Sequence, residues 1–184
     1  KVFNKSGWRF YQNAELIFQD CRLPQENMLG ELNMGKQDSS ERYVSFNDVE
    51  LAANVIGIST AAFEHAVDHA RNRIQGGKPI IEHQSIAIKL ADMYMRLEAA
   101  RSYLFQVVES AESGNAEFES ASKQMMKVFA TEAALSITRN AVEIFGGSGV
   151  MRDAPVEKLL RDASVFTHLA ADSIMSLKAA AKLR

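Results

Sequence analysis

The sequence predicts an all-α fold, an up-and-down four-helix bundle preceded by a short remnant of a β-domain. Three observations lead to this prediction. Apolar residues recur at spacings of three and four along four long stretches that begin near residue 41. Glycine or proline separates these stretches, which indicates short joints between neighbouring antiparallel helices. The first 30 residues instead carry one short apolar run, which is typical of a strand.

The strand-like run comes first in the chain. It covers Ala14–Asp20 and has turn-forming residues on both sides. A lone strand has no stable fold of its own, so we expect this run to belong to a larger sheet domain. The predicted division is therefore residues 1–30 for the end of a β-domain, residues 31–40 for a polar linker, and residues 41–184 for the bundle.

Four apolar stripes define the helices of the predicted bundle. The first stripe ends at the pair Gly76–Gly77, the second ends near Gly114, and the third ends at the glycine cluster 146–149. Pro155 favours the first turn of the fourth helix, because proline lacks the N–H that this turn does not use. The stripes run over Leu51–Ile74, Ile86–Val107, Ala121–Ile144 and Leu159–Ala181.

Composition excludes several classes of function. Lys and Arg number 21 and Asp and Glu number 23, so the formal net charge of −2 offers no basic surface to nucleic acid or to an anionic membrane. No apolar run approaches the roughly 20 residues of a membrane span. The single cysteine, Cys21, excludes an internal disulfide and favours a reducing compartment, which we expect to be the cytoplasm, or the mitochondrial matrix in a eukaryote.

Two further observations concern metals and completeness. His65 and His69 share a helix face, but no third ligand is marked by spacing, so we predict no metal site. The chain has neither an initiator Met nor the apolar stretch of a signal peptide in its first ten residues. We therefore expect it to be a piece of a longer protein.

Two glycine-bearing stretches carry groups that bind phosphate. In ARNRIQGGKPIIEHQ, residues 70–84, an arginine and an amide precede a glycine pair that leaves the backbone accessible. In EIFGGSGV, residues 143–150, three glycines in four residues permit close approach of the backbone to a ligand. Arginine and glycine are also common at ordinary helix ends. From the residues alone, a nucleotide-type ligand and two plain helix ends remain open alternatives.

Three blocks in colinear order resemble the acyl-CoA dehydrogenase family. They are AELIFQDCRLPQENMLGE, ARNRIQGGKPIIEHQSIAIKLADM and AVEIFGGSGVMRDAPVEKLLRDA. The resemblance covers essentially the whole chain and implies the C-terminal part of such an enzyme, with residues 1–30 closing a middle β-domain. It implies FAD as cofactor, an acyl-CoA thioester as substrate, and an electron-transferring flavoprotein as acceptor. It also implies a homo-oligomer, either a dimer or a tetramer.

The resemblance also implies cofactor-binding residues. Arg73 matches the arginine of an R-x-Q-F-G-K-P block, which contacts the FAD pyrophosphate across a subunit interface. Glu143 stands where Gln is usual, which puts an anion near the FAD phosphates. The full expected set is Arg73, Gln75, Glu143, Gly146, Gly147 and Gly149.

The family's catalytic base is missing from both of its usual positions. In most members a Glu in a Y-E-G-T block removes the acyl α-proton while the flavin takes the β-hydride, and Ala170 stands there in this chain. Other members place the Glu on the first bundle helix, where Asn47 stands. Neither alanine nor asparagine accepts a proton in this role. Asp48, Glu50 and Asp172 are nearby acids and are candidate replacements.

Three accounts of the missing base stay open. The base is another acid near the site, or it lies in domains outside this chain, or the chain is a non-catalytic subunit of a heteromeric dehydrogenase. A flavin monooxygenase of the same fold, which needs no α-proton base, is a further alternative. We expect the 184 residues alone to be inactive and to bind FAD poorly, because most of the flavin pocket would lie elsewhere.

Overall fold

Four α-helices make up most of the computed structural model, which describes residues 1–28, 30–33, 35–110, 116–169 and 181, with only the backbone given for 35–47 and 116–120. A two-stranded hairpin joins the first two helices. Within the described ranges the elements are α1 (Gly35–Asn72), β1 (Ile74–Gln75), β2 (Lys78–Pro79), α2 (Gln84–Ser110), α3 (Ala116–Phe145) and α4 (Pro155–Phe166). The predicted all-α four-helix fold is confirmed.

Helices α1 and α3 form the centre of the bundle. They pack most extensively against each other, and each also packs against α2 and α4. Small side chains allow two helix backbones to approach closely, because the distance between helix axes depends on the residues at the contact. Among the described side chains, the buried alanines of this central pair are Ala52, Ala62, Ala66 and Ala70 on α1, and Ala121, Ala130, Ala133, Ala134 and Ala141 on α3.

The ends of the helices show that α1 and α3 run parallel. The rings of His69, in the last turn of α1, and Phe145, at the end of α3, are stacked with centroids 4.1 Å apart. We call this the hairpin end of the bundle, because β1 and β2 lie here. At the opposite end, which we call the far end, the charge of Lys127 on α3 acts on Asp48 of α1. Nζ of Lys127 also donates to the carbonyl oxygen of Leu169, just after α4, at 2.5 Å. This arrangement agrees with the predicted up-and-down bundle.

The hairpin between α1 and α2 turns through Gly76 and Gly77. Both have positive φ, 64° and 80°, which glycine adopts without steric cost and which a two-residue hairpin turn requires. Ile74 pairs with Pro79, and Gln75 pairs with Lys78. Helix α1 ends at Asn72, before the predicted stop at the glycine pair, and Ile74 lies in strand β1 instead of the helix. The glycine pair reverses the chain within the hairpin so that α2 returns along α1.

Two further sequence predictions differ from the structure. Helix α1 begins at Gly35, inside the segment 31–40 that was expected to be a linker, since a polar stretch forms a solvated helical turn as well as a linker. The run Ala14–Asp20 is not a strand: among the described residues it makes one isolated bridge, between Ala14 and Val2. Leu16, Ile17 and Phe18 in this run are more than 70% exposed. A strand forms by pairing, and this run has no adjacent partner strand among those residues.

Residues 6–8 nevertheless dock onto α4. The backbone N–H of Trp8 donates to Oδ1 of buried Asp162 at 2.6 Å, and Nη1 of Arg161 donates to the carbonyl oxygen of Ser6 at 2.6 Å. The Trp8 ring lies 4.7 Å from the ring of Phe166, centroid to centroid. The N-terminal segment is therefore attached to the bundle through both polar and aromatic contacts. The assignment of residues 1–30 to the end of a β-domain stays a prediction.

Because the central helices pack closely, a larger side chain at their contact is predicted to lower the stability of the bundle. We expect Ala66→Leu to lower the free energy of unfolding by about 1–3 kcal/mol, because Ala66 is fully buried and the added atoms force its neighbours apart. Urea-induced unfolding followed by circular dichroism measures the change. The matched control is Glu64→Leu at an exposed position of the same helix, with an expected change within about 0.5 kcal/mol. Equal effects of the two substitutions would contradict close packing at Ala66.

Candidate functional site

An open cleft with a volume of about 760 Å³ lies at the hairpin end of the bundle. It is formed by the last turns of α1 and α3, the β1–β2 hairpin and the first turn of α2. Concave sites that combine apolar walls with a few convergent polar groups are the usual places for a small ligand. The cleft brings together five of the six residues that were expected to contact a cofactor: Arg73, Gln75, Glu143, Gly146 and Gly147.

The charged groups of the cleft are one arginine and one carboxylate. Arg73 is exposed, and within the described part of the chain no carboxylate lies within ion-pair distance of its guanidinium. Glu143 forms an ion pair with Lys89 of α2. Arg73 is therefore available to a ligand, whereas the charge of Glu143 is already offset by a neighbour.

Two histidines support the walls of the cleft. Nε2 of His83 donates to the carbonyl oxygen of Gln75 at 2.9 Å, which ties the hairpin to the turn before α2. His69 stacks on Phe145. Burial lowers the pKa of His69, and the charge of Arg73 lowers it further, so this ring stays neutral to lower pH than a free histidine. No three His, Cys, Asp or Glu side chains of the described residues are grouped so as to hold a metal ion.

The glycines at the end of α3 do not share one role. Gly147 lines the cleft, and a Cβ added there would meet nothing within 4 Å. Gly149 is buried beneath the turn, where an added Cβ would lie 2.4 Å from the carbonyl oxygen of Val142 and 2.9 Å from Cβ of Phe145. Gly149 therefore lets the turn pack against α3, and it is the one residue of the expected set that does not line the cleft.

Asp48 and Glu50, the two candidate bases that the structure describes, lie toward the far end of the bundle. Asp48 is only 3% exposed, whereas Glu50 is exposed two residues later. Burial raises the pKa of Asp48, and the positive charges of Lys127 and Lys123 oppose the rise. Asp172 and position 170 lie outside the described residues, and of Asn47 only the helical backbone is described.

The cleft and the far end are well separated. A helix rises about 1.5 Å per residue, which puts Asp48 about 36 Å from the end of α1 at Asn72. The chain thus presents two distinct polar regions, one at each end of a helical bundle.

Within the described residues, none of the helices is both long enough and apolar enough to cross a membrane.

Lys89 is the cleft neighbour that sequence reasoning missed. It stands 54 residues from Glu143 on a different helix, so no local spacing connects the two side chains. The one available signal was Glu143, an acid where the family resemblance implies Gln, since a carboxylate near the expected phosphates requires a compensating cation.

Known proteins resemble this chain along most of its length. Residues 43–175 match the family model described as acyl-CoA dehydrogenase, C-terminal domain. An acyl-CoA dehydrogenase of Bacillus subtilis (strain 168) is 42% identical over 165 residues, which is 90% of this chain and 43% of that protein. A cyclohexane-1-carbonyl-CoA dehydrogenase of Syntrophus aciditrophicus (strain SB) is 37% identical over 165 residues, 90% of this chain and 42% of that protein.

Solved structures give the same result. The structure of butyryl-CoA dehydrogenase from Megasphaera elsdenii aligns with the whole chain at a TM-score of 0.91 and 34% identity, and the alignment covers 48% of that protein. The chain therefore spans less than half the length of these relatives.

The two glycine roles lead to a prediction about stability. We expect Gly149→Ala to lower the free energy of unfolding by about 1–3 kcal/mol, because its methyl group would overlap the α3 backbone. Gly147→Ala is the matched control, and its expected change is within about 0.5 kcal/mol because the space around it is open. Thermal unfolding of both variants measures the difference. An unaffected Gly149→Ala variant would show that the turn has room for a side chain.

Proposed function

Since this chain belongs to the acyl-CoA dehydrogenase family through its C-terminal domain, we propose that it is the FAD-contacting and oligomer-forming part of a flavoprotein that oxidises an acyl-CoA thioester between its α and β carbons. The observation that carries this proposal is the cleft at the hairpin end, where Arg73, Gln75 and the accessible backbone of the turn 146–147 meet. A guanidinium, an amide and exposed backbone N–H groups are donors that suit a diphosphate.

The residues of the cleft fit the diphosphate of FAD. Arg73 supplies a charge without an internal partner among the described residues, and Gln75 supplies an amide beside it. Gly147 leaves the backbone of the turn open to a close approach. When bound, FAD supplies the hydride acceptor of the reaction. The role of this cleft is to hold and orient that cofactor.

The separation of the two ends supports an oligomer. The cleft lies about 36 Å along α1 from Asp48, and the short ribityl chain of FAD does not span that distance between diphosphate and flavin. A cofactor held by Arg73 would therefore present its flavin to the catalytic region of a different subunit. We propose that the hairpin end of one copy of this chain completes the active site of another copy.

Asp48 is the candidate base that the far end supports best. It adjoins position 47, one of the two positions at which the family resemblance implies a catalytic glutamate. The charge of Lys127 acts on Asp48, and Nζ of Lys127 donates to the carbonyl oxygen of Leu169. A buried carboxylate with a raised pKa is a stronger base than an exposed one once it has lost its proton. We propose that Asp48 accepts the α-proton of the acyl group, with an electron-transferring flavoprotein as the final acceptor.

A second candidate function is a non-catalytic subunit of a heteromeric dehydrogenase. The replacement of glutamate by Asn47 and Ala170 at both base positions favours it. Anaerobic addition of acyl-CoA to the full-length protein separates the alternatives. Bleaching of the flavin supports the dehydrogenase, and absence of flavin from the protein expressed alone supports the accessory subunit. Flavin oxidation coupled to hydroxylation, without bleaching by any thioester, supports a monooxygenase of the same fold.

Substitution of Asp48 tests the proposed base. We expect Asp48→Asn in the full-length protein to slow exchange of the acyl α-proton with deuterated water by about 100-fold or more, since the amide accepts no proton. With Asp48 present, exchange rises with pH as the carboxyl ionises through its raised pKa, and the variant loses this rise. Glu50→Gln, at an exposed position, is the control with unchanged exchange. Unchanged exchange in a folded Asp48→Asn protein would exclude Asp48 as the base.

Substitution of Arg73 tests the cofactor site. We expect Arg73→Ala in the full-length protein to weaken FAD binding by about 10- to 100-fold, which corresponds to the loss of a hydrogen bond to a charged group. Arg71→Ala removes an exposed arginine that does not line the cleft, and we expect it to leave FAD affinity unchanged. Titration of the apoprotein with FAD, followed by flavin fluorescence, gives both dissociation constants. Equal affinities of the two variants would refute the cleft as the diphosphate site.

A further inference from the structure

The backbone makes the cleft a mixed environment for an anion. Helices α1 and α3 both end here, at Asn72 and Phe145, and the C-terminal pole of a helix carries partial negative charge. The N-terminus of α2 at Gln84 brings one partial positive charge to the same place. Two negative poles therefore face one positive pole, and side-chain cations must supply the remaining attraction for a phosphate.

Glu143 adds further negative charge to the cleft. It is the one acidic side chain among the described residues that line the cleft, and it lies in the last turn of α3, next to a negative pole. A carboxylate in this position is disfavoured by the helix dipole and would also repel a bound diphosphate. The cleft is expected to accept an anion only when another group cancels this charge.

Lys89 is the group that meets Glu143. Its ammonium comes from the second turn of α2 and forms an ion pair with the carboxylate across the edge of the cleft. The helix dipole gives a cation no advantage so near the start of α2, so the carboxylate is what holds Lys89 there. The side chains are 35% and 49% exposed, so both are in contact with the solvent through which a ligand arrives.

We propose that Lys89 determines the affinity of the cleft for the cofactor diphosphate by cancelling the charge of Glu143. The inference rests on the proposed function, because it assigns a further residue to the same cofactor site. With Lys89 present, the Lys89–Glu143 pair is neutral and Arg73 leaves the site with one net positive charge. Without Lys89, the carboxylate cancels Arg73 and faces the phosphates directly.

A double-mutant cycle in the full-length apoprotein tests this dependence. FAD binding is followed by flavin fluorescence, so the readout does not require catalysis. We expect Lys89→Met, which keeps the length of the side chain, to weaken FAD binding by about five- to tenfold. Glu143→Gln in the Lys89→Met background is expected to restore the affinity to within about twofold of the original protein. Lys89→Arg retains the charge and should retain the affinity.

The cycle has clear opposing outcomes. Unchanged affinity in Lys89→Met, or a Lys89→Met/Glu143→Gln protein as weak as Lys89→Met alone, would overturn the inference, since neither fits cancellation of a carboxylate. Circular dichroism of each variant establishes that the bundle is folded. Raising the salt concentration should reduce the difference in FAD affinity between the original protein and Lys89→Met, because salt screens charges that contact solvent.

Two controls separate this inference from the proposed function. Arg96 and Asp92 form a comparable ion pair on α2 that does not line the cleft, so Arg96→Met is expected to leave FAD binding unchanged. If Arg73→Ala weakens FAD binding and Lys89→Met does not, the cofactor site stands and the role of Lys89 is refuted. If neither substitution affects FAD binding, the proposed site itself is wrong.

Discussion

The contact between α1 and α3 is the constraint on which the rest of the bundle depends. Buried alanines on both helices let them lie close together and parallel, so their C-terminal ends arrive at the same place. The cleft is the space beyond those two ends, closed by the hairpin and the start of α2. A wider spacing of the central helices would separate Arg73 from the turn 146–147. The geometry of the cleft therefore depends on side chains that lie outside it.

The parallel arrangement also determines what kind of site each end can form. The hairpin end gathers two negative helix poles, the guanidinium of Arg73 and the carboxylate of Glu143, which is paired with Lys89. The far end gathers a buried acid and a buried lysine near the end of α4. Burial raises the pKa of this acid, Asp48, and its low exposure leaves little surface for tight binding of an anion. The two regions are thus chemically different.

The sequence predicted those features that have a local signature. The apolar period of three and four gave four helices, and Pro155 marked the first turn of α4, because burial of one helix face and the missing proline N–H are both local effects. The run Ala14–Asp20 was wrongly expected to be a strand, since pairing depends on a neighbour that composition does not reveal. Gly147 and Gly149 look alike in sequence, and only the positions of Val142 and Phe145 distinguish an open backbone from a packed one.

The docking of residues 6–8 onto α4 has a consequence for how freely these positions can vary. The bonds from Trp8 and to Ser6 both use main-chain atoms of the N-terminal segment, so they do not depend on which side chains stand at positions 6 and 8. Gly7 between them is different, because a Cβ there would lie 2.1 Å from the carbonyl oxygen of Arg161. Position 6 should therefore tolerate substitution and position 7 should not, whereas position 8 is constrained by the Trp8 ring, which packs against Phe166. A change at Gly7 would require α4 and the segment to move apart.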